Sequence, residues 1–253
     1  MLCATRQNII YDYIRKNKEV NVNDLTQKFD VTDMTIRRDL SRLQNMGLIK
    51  RTHGGAVIFE TNVKESSFVS RSITNLDKKK RIAAGASELI GDGLSIFIDG
   101  STTGSELAML LPAAKGLTIF TNSLAVLSQL KSANCADNVI VIGGELSNDG
   151  NTFDGAIAVD VVSKLYVDLL FFSCGGFNKN GISNTGLIGT QIKKSMLTHS
   201  KQHILLADST KYDSQWLYML CDWSMVDVLI SDSELDTAAI DMLKNLDVEL
   251  ILK

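Results

Sequence analysis

Guanidinium, ammonium and hydroxyl side chains are concentrated in residues 30–56, DVTDMTIRRDLSRLQNMGLIKRTHGGA, of a chain of 253 residues. This stretch holds five Lys/Arg, although the whole chain has a formal net charge of −3. Arginines can donate paired hydrogen bonds to guanine or clamp phosphates, and polar side chains near a helix N-terminus can reach base edges in the major groove. A helix with arginines on its polar face is more often a solvated surface helix. The residue types alone therefore leave both interpretations open.

A second set of candidate residues lies in five short polar loops, each of which follows a predicted strand. Glycines there would let the backbone approach a ligand, while hydroxyls and helix N–H groups can hold an anion. Each loop alone is most simply a tight turn with a capping Ser or Thr, but a parallel sheet would gather all five at one edge. The loops are 99–104 (DGSTTG), 121–123 (TNS), 143–145 (GGE), 173–176 (SCGG) and 208–211 (DSTK).

Several other kinds of site are not expected. No GxGxxG follows the first strand and no GxxxxGK[ST] occurs, which argues against a dinucleotide site and a nucleoside triphosphatase. His53, His199 and His203 are too dispersed for a metal cluster, and the four cysteines form no CxxC pair. We therefore predict no metal and no cofactor. No apolar run reaches the roughly 18–20 residues that span a bilayer, no secretory signal is recognised, and a cytoplasmic, reducing location is expected.

The first 60 residues have the pattern of three helices followed by a β-hairpin, which is typical of a winged helix-turn-helix. The predicted helices cover residues 6–16, 24–29 and about 33–46, with Asn23 and Thr32 as N-caps of the second and third. Ile36, Leu40 and Leu43 would form the buried face of the third helix. Residues 1–60 carry ten Lys/Arg against seven Asp/Glu, or +3, whereas the remaining 193 carry sixteen against twenty-two, or −6. This asymmetry indicates two modules with different partners.

The rest of the chain has the pattern of an α/β domain. Residues 61–75 are polar without a clear period, which predicts a linker. Over residues 76–253, apolar runs alternate with amphipathic stretches, which predicts a mainly parallel sheet covered by helices on both faces. The expected fold class is therefore α/β, with an N-terminal winged helix-turn-helix.

Residues 35–56, TIRRDLSRLQNMGLIKRTHGGA, resemble the N-terminal signature of the DeoR-type bacterial transcriptional regulators. That family has a T-[IV]-R-[RK]-D-L core followed by L-x-x-x-G and R-x-[HY]-G-G, and the resemblance implies DNA binding. Asp39 is expected to orient an arginine or to cap locally, because a carboxylate repels phosphate. The residues implied in DNA binding are Thr32, Thr35, Arg37 and Arg38, then Arg42, Lys50 and Arg51 on phosphates, and His53 at the wing tip, which as a lone histidine is more simply a turn residue.

The resemblance continues through DKKKRIAAGASELIGDGLSIFIDGSTT, TNS, GGELSNDGNTFDGAIA and ADSTKY, which occur in the order of the DeoR-type effector domain. That domain is related to sugar-phosphate isomerases, and family members commonly respond to phosphorylated sugars. The loop 101–103 is implied to hold phosphate, as its hydroxyls and amides suggest independently. The expected effector-binding residues are Asp99, Ser101, Thr102, Thr103, Asn122, Ser123, Gly143, Gly144, Gly175, Gly176, Lys193 and Lys211.

Two departures from the family pattern concern carboxylates. Many relatives have G-x-D-G in the fourth loop, where this chain has SCGG at 173–176, and a helix starting E-x-E-[VI]-K-[RK], which here reads GTQIKK at 189–194. Carboxylates bind sugar hydroxyls and serve as bases in isomerase chemistry. Catalysis is therefore not expected, and the pocket is expected to take a changed ligand or one with fewer hydroxyls. Cys174 is expected to be a small apolar filler rather than a redox sensor.

The sequence thus predicts a sequence-specific DNA-binding transcriptional regulator, a repressor of sugar or carbohydrate metabolism genes controlled by a phosphorylated sugar or related metabolite. Its expected domains are 1–60 for DNA binding, 61–75 as a linker and 76–253 for effector binding. The expected partners are operator DNA, an anionic metabolite and a further copy of the chain, because one small winged helix buries too little surface for tight specific binding. The alternatives are a sugar-phosphate isomerase-like enzyme with an accessory DNA-binding domain, and a scaffolding protein.

Overall fold

A computed structural model of the chain describes residues 3–45, 49–52, 54–58, 67–133 and 136–253. The chain forms two compact units, unit 1 (Met1–Thr74) and unit 2 (Asn75–Lys253). No helix within the described ranges combines the length and the apolar character needed to cross a membrane.

Unit 1 consists of helices and a small antiparallel sheet. Its described elements are α1 (Cys3–Asn17), β1 (Glu19–Asn21), α2 (Val22–Phe29), α3 (Asp33–Asn45), β2 (Ile49–Arg51), β3 (Gly55–Ile58) and α4 (Phe68–Ile73). The predicted three helices and β-hairpin are therefore present. The strand order β1-β3-β2 shows that β1 adds a third strand, which the sequence pattern did not predict. Helix α4 lies inside the segment 61–75, for which only a linker was predicted.

The start of α2 differs from the prediction by two residues. The side chain of Asn21, rather than that of Asn23, caps the helix by accepting the Asp24 N–H at 2.8 Å. Thr32, the predicted cap of α3, accepts the Thr35 N–H on its Oγ1 at 3.3 Å. Between the helices Asp30 adopts the left-handed conformation (φ 49°), which makes the connection tight.

The buried face of α3 consists of the predicted Ile36, Leu40 and Leu43, which are at most 1% exposed. They pack in one cluster with Ile10 and Leu25 of the two preceding helices. Burying side chains of this size stabilises the fold by roughly 1.5–3 kcal/mol each. The cluster therefore fixes which side of α3 remains available to solvent.

One carboxylate lies within this apolar face. Asp39 is 0% exposed, and its two oxygens accept hydrogen bonds from Arg6 Nε and Gln7 Nε2, each at 2.7 Å. Both donors belong to α1, so the side chain joins α3 to α1. The expectation that Asp39 orients an arginine is confirmed, since that arginine is Arg6.

Asp39→Ala should destabilise unit 1 by about 3 kcal/mol, because it removes the buried carboxylate that pairs with Arg6 and accepts from Gln7. Hydrogen exchange of the α3 amides in the full chain would measure the loss. Asp33→Ala is the matched control, because Asp33 also pairs with an arginine but is half exposed. Similar exchange rates in the two variants would contradict a structural role for the buried pair.

Unit 2 is built around a seven-stranded parallel sheet. Its described elements are α5 (Leu76–Ser87), β4 (Ser95–Ile98), α6 (Thr102–Met109), β5 (Thr118–Thr121), α7 (Leu124–Ala133), β6 (Asn138–Val141), β7 (Glu145–Leu146), β8 (Phe153–Asp154), α8 (Gly155–Val162), β9 (Val167–Phe172), β10 (Gly176–Asn178), β11 (Gly181–Asn184), α9 (Leu187–Thr198), β12 (Ser200–Leu206), β13 (Tyr218–Cys221), β14 (Val228–Ser231), α10 (Thr237–Leu243) and β15 (Glu249–Leu252). The sheet order is β15-β14-β12-β9-β4-β5-β6.

Successive residues of the strands point to opposite faces of the sheet and contribute to two apolar cores, one on each face. Phe97 and Leu170 pack with α8, α9 and α10, whereas Ile96 and Ile98 pack with α5, α6 and α7. The predicted α/β fold with a parallel, helix-covered sheet is confirmed. Because the chain runs outward from β4 in one direction and from β9 in the other, the strand order reverses between these two neighbours. Ligands of such sheets bind beyond the carboxyl ends of the strands at this reversal.

Two small antiparallel sheets were not predicted. One has the order β10-β11-β13 and the other pairs β7 with β8. Their strands are two to four residues long. Strands this short give too few positions for an alternating pattern to be recognised. Both sheets follow strands of the main sheet and add structure beside its carboxyl edge.

Candidate functional site

The solvent face of α3 carries the arginines that were predicted to contact DNA. Arg37 donates from Nε and Nη2 to the carboxylate of Asp33 one turn earlier, and the Nη2–Oδ2 distance is 3.2 Å. Arg38 and Arg42 are exposed as well. Since the opposite face of α3 is buried, these guanidinium groups point toward solvent rather than into unit 1.

Hydroxyl groups and the hairpin adjoin this surface. Thr32 Oγ1 and Thr35 Oγ1 lie 2.9 Å apart at the start of α3. Arg51 of β2 donates from Nη1 to Ser41 Oγ at 2.9 Å, and its backbone N–H donates to Gln44 Oε1 at 2.9 Å. These two hydrogen bonds connect the β2–β3 hairpin to α3.

The predicted DNA-contacting residues therefore lie largely on two adjoining elements. Lys50 is exposed on β2, next to the arginine that contacts α3. His53 lies outside the described residues. The others are at the start of α3 or along it.

In unit 2, Asp99 follows β4 and is only 1% exposed. Its Oδ1 accepts the Ser101 N–H at 3.0 Å, and its Oδ2 accepts the Ser173 N–H at 2.9 Å and lies 2.8 Å from Lys193 Nζ. Burial alone would raise the pKa of Asp99, but the Lys193 ammonium and these hydrogen bonds outweigh it and hold the pKa below its usual value. An ionised carboxylate therefore joins the loops after β4 and β9 to helix α9.

The two lysines predicted in the site both contact the loop after β9. Lys193 Nζ donates to the Ser173 carbonyl oxygen at 2.6 Å, and Lys211 Nζ donates to Ser173 Oγ at 2.7 Å. The charge of Lys193 is matched by Asp99, whereas the contact made by Lys211 is with a neutral hydroxyl. Lys211 is therefore the better placed of the two to attract an anion.

The loop after β4 leads directly into the N-terminus of α6. Ser101 caps this helix, and its Oγ accepts the Gly104 N–H at 3.0 Å. Thr102 and Thr103 form the first turn and are 7% and 0% exposed. Thr103 Oγ1 is buried without a hydrogen-bond partner among the described residues. Unpaired N–H groups and the positive end of the helix dipole favour an anion at such a position.

Asn122 and Ser123, which follow β5, are held by a segment, residues 147–154, in which no site residue was predicted. Ser123 Oγ donates to Asn151 Oδ1 at 3.2 Å, and Asn122 Nδ2 donates to Asp154 Oδ1 at 3.1 Å. Asn151 Nδ2 also donates to the Gly100 carbonyl oxygen at 3.2 Å. Segment 147–154 thus bridges the loops after β4 and β5. Its Asn and Asp residues resemble ordinary turn residues in sequence, which is why they gave no signal.

Close packing accounts for three of the predicted glycines. A Cβ at position 176 would lie 2.6 Å from the Ser214 carbonyl oxygen, and one at position 175 would lie 2.9 Å from Cδ1 of Trp216. A Cβ on Gly144 would strike the backbone oxygen of Asp154. Gly143 is exposed, with no atom within 4 Å of its Cβ position, so packing gives no reason for glycine there.

The cysteine beside these glycines is a buried thiol. Burial raises the pKa of Cys174, and it raises that of Cys221 to about 12. Such thiols stay protonated at neutral pH and are unreactive, as expected for an apolar filler. Within the described ranges, no three or more potential metal-ligating side chains come together.

Two family models match this chain. Residues 74–233 match the DeoR C terminal sensor domain, and residues 6–62 match the DeoR-like helix-turn-helix domain. The chain belongs to the DeoR family. The predicted family is confirmed, and so is the prediction of a DNA-binding transcriptional regulator rather than an enzyme.

Relatives of this DeoR-family chain match it over nearly its whole length. The uncharacterized HTH-type transcriptional regulator YulB of Bacillus subtilis (strain 168) is 35% identical, and the match covers 99% of this chain and 96% of that protein. The L-fucose operon activator of Haemophilus influenzae is 33% identical over 91% and 92%. Among solved structures, ribose 5-phosphate isomerase A of Methanocaldococcus jannaschii has a TM-score of 0.40 and 15% identity over 55% of each chain. That likeness is distant, and nothing about ligand or activity follows from it.

Lys193→Met should destabilise unit 2 by about 3 kcal/mol, because it leaves the buried Asp99 carboxylate without its cation. The double variant Asp99→Asn/Lys193→Met should recover much of the loss, since neither position of the pair then carries a buried charge. Urea unfolding followed by tryptophan fluorescence would measure unit 2 alone, because Trp216 and Trp223 are the two tryptophans of the chain. Lys164→Met, which breaks an exposed pair with Asp160, is the control.

The free energy of unfolding should depend on pH differently in the parent and in Lys193→Met. In the parent the pKa of Asp99 is lowered by folding. The ionised carboxylate therefore stabilises the folded state above the pKa of the unfolded chain, about 3.9, and this stabilisation is lost as the pH falls through the pKa of the folded state. Removing Lys193 takes away the largest influence that lowers the pKa of Asp99, while burial still raises it. The gain in stability that the parent shows as the pH rises through this range should therefore be reduced or reversed in Lys193→Met. Parallel pH profiles in parent and variant would contradict the assigned pair.

Proposed function

We propose that this DeoR-family chain represses genes of carbohydrate metabolism by binding operator DNA through α3 and the β2–β3 hairpin. A phosphorylated sugar or a related anionic metabolite, bound in unit 2, controls that binding. The chain acts as a homodimer or a higher homo-oligomer in the cytoplasm. Repression is proposed because it is the commoner behaviour of the family.

The observation that carries the DNA-binding part is the division of α3 into two faces. The face that carries Asp39 and the apolar residues at positions 36, 40 and 43 is buried in unit 1, while Arg37, Arg38 and Arg42 are exposed. Met34, in the first turn of α3, is 80% exposed. Guanidinium groups on a helix of this class can contact phosphates or base edges in the major groove. The free protein already pairs Arg37 with Asp33. Arg38 has no such acidic partner among the described residues, so it contributes its full charge to DNA.

Arg38→Ala should weaken binding to a fragment selected from a random DNA pool by about 1–3 kcal/mol if Arg38 contacts a base, and should relax the preference at one position. A phosphate contact would instead weaken all sequences equally and lower the salt slope by about one. Fluorescence anisotropy at several salt concentrations distinguishes the two.

The control for this experiment is Lys131→Ala, which removes an exposed cation from α7. An equal loss of affinity in Lys131→Ala would show that the loss in Arg38→Ala reflects only the change in net charge. The absence of salt-sensitive binding to any duplex would refute the proposed function.

The effector part is supported by the groups that meet at the strand-order reversal. The N-terminus of α6 offers N–H groups beside buried Thr102 and Thr103, and Lys211 adds an ammonium contacting Ser173. These are the donors and charges that a phosphate requires. Population shift gives the simplest mechanism, in which the metabolite binds more tightly to the arrangement that does not bind DNA.

Thr102→Asp should weaken the response to phosphorylated sugars by about tenfold or more, because it places a carboxylate beside the proposed phosphate position. The measurement is the anisotropy of the protein–DNA complex during titration with a panel of sugar phosphates. Thr198→Asp adds the same charge at the exposed end of α9 and should leave the response intact. An unchanged response in Thr102→Asp would place the anion elsewhere.

A further inference from the structure

The amide of Asn122, in the loop after β5, has a fixed orientation. The residue is 3% exposed, and its Nδ2 donates to the Phe153 carbonyl oxygen at 3.0 Å and to Asp154 Oδ1 at 3.1 Å. Turning the amide over would place its oxygen against both acceptors, so the assignment of oxygen and nitrogen is determined by the contacts. Asn122 Oδ1 is left buried, without a partner among the described residues. A buried acceptor without a donor is energetically unfavourable.

The carboxylate of Asp154 adds further acceptor capacity at the same place. Asp154 is 8% exposed, and its only side-chain donors among the described residues are Asn122 Nδ2 and Thr152 Oγ1, the latter at 2.7 Å. A carboxylate has about four lone-pair positions, so about half of its capacity is unused. Burial raises the pKa of Asp154, which agrees with a carboxylate that is incompletely paired. Asn122 and Asp154 together form an acceptor pair that lacks donors.

Lys193, whose charge acts on Asp154, does not supply the missing donor. The charge of Lys193 lowers the pKa of Asp154 somewhat, but its ammonium is bound to Asp99 and to the Ser173 carbonyl oxygen. A phosphate at the acceptor pair would meet only oxygen atoms and a negative charge. A hydroxyl group would supply the missing proton donor.

We propose that the effector presents a hydroxyl group to Asn122 Oδ1 and Asp154, with its phosphate at the N-terminus of α6. The proposal rests on the proposed function, because it takes the bound metabolite to be a phosphate ester. It makes Asn122 and Asp154 the residues that distinguish hydroxylated phosphates from phosphate itself. The ligand therefore binds in one orientation, with its anionic group at the donor end of the pocket and its hydroxyl at the acceptor end.

Access to the acceptor pair involves segment 147–154. Asn122 Oδ1 is not open to solvent. Two backbone hydrogen bonds of 2.8 Å join this segment to the loop after β5. The Leu124 N–H donates to the Asn151 carbonyl oxygen, and the Phe153 N–H donates to the Asn122 carbonyl oxygen. A hydroxyl reaches Oδ1 once the segment shifts. Binding of a hydroxylated phosphate should therefore speed hydrogen exchange of the Leu124 amide, and inorganic phosphate should not. Unchanged exchange with a bound hydroxylated phosphate would overturn the coupling to this segment.

The acceptor pair is tested by calorimetric titration of the full chain with inorganic phosphate, glycerol 3-phosphate, ribose 5-phosphate and glucose 6-phosphate. At least one hydroxylated phosphate should bind more tightly than inorganic phosphate. Asp154→Asn, which is nearly isosteric, and Asn122→Ala should each weaken the tightest binder by about 10- to 100-fold. Inorganic phosphate should bind all variants within about twofold, which also shows that the pocket is folded.

Asp160→Asn is the matched control, because it removes an exposed carboxylate from α8. Equal losses for inorganic and hydroxylated phosphates, or no loss for either, would overturn the acceptor pair. So would the failure of every hydroxylated phosphate to bind better than inorganic phosphate. Failure of the proposed function is separate, because it would appear as missing duplex binding or as an unchanged response in Thr102→Asp.

Discussion

The buried ion pair between Asp99 and Lys193 is the constraint on which the rest of unit 2 depends. A carboxylate that is 1% exposed is tolerated only with a cation and additional donors, and here α9 and the loops after β4 and β9 supply them. The same contacts hold the two loops together where the strand order reverses. Because the pair is neutral as a whole, attraction for an anion must come from other groups, namely the α6 N-terminus and Lys211.

Unit 1 also contains a buried carboxylate that is paired with a cation. Asp39 is fully buried on α3 and holds that helix to α1 through Arg6 and Gln7. In both units a buried carboxylate fixes the position of elements that carry candidate binding groups. A helix that must present charged side chains to a partner gains from such an anchor, since apolar packing alone tolerates small rotations.

The parts of the fold that follow from local pattern could be predicted from the sequence. Ile36, Leu40 and Leu43 have helical spacing, and the central strands β4, β9 and β14 are apolar runs, so their burial follows from the sequence. The edge strand β6 is equally apolar in sequence but is exposed, because its place at the edge is set by the strand order. Strand β1 could not be predicted in this way, because its three residues become a strand only through pairing with β3. The role of Asp154 is also invisible in sequence, since it depends on Asn122, 32 positions away. The position of these loops at the strand ends was predictable as a group, but the hydrogen-bond partners of their side chains were not.

The fourth loop leaves little room for a side chain at position 175. A Cβ at position 175 would lie 2.9 Å from Cδ1 of Trp216, so the aspartate of many relatives would have no room unless the indole moved. The pocket nevertheless keeps a buried acceptor in Asp154, on the segment that bridges the loops after β4 and β5. Acceptors determine which hydroxyl of a ligand is bound. A ligand hydroxyl that finds no acceptor in the site loses its hydrogen bond to water without replacing it, which weakens binding. Under the proposed function, an acceptor on segment 147–154 instead of on the fourth loop would select a different hydroxyl of the effector.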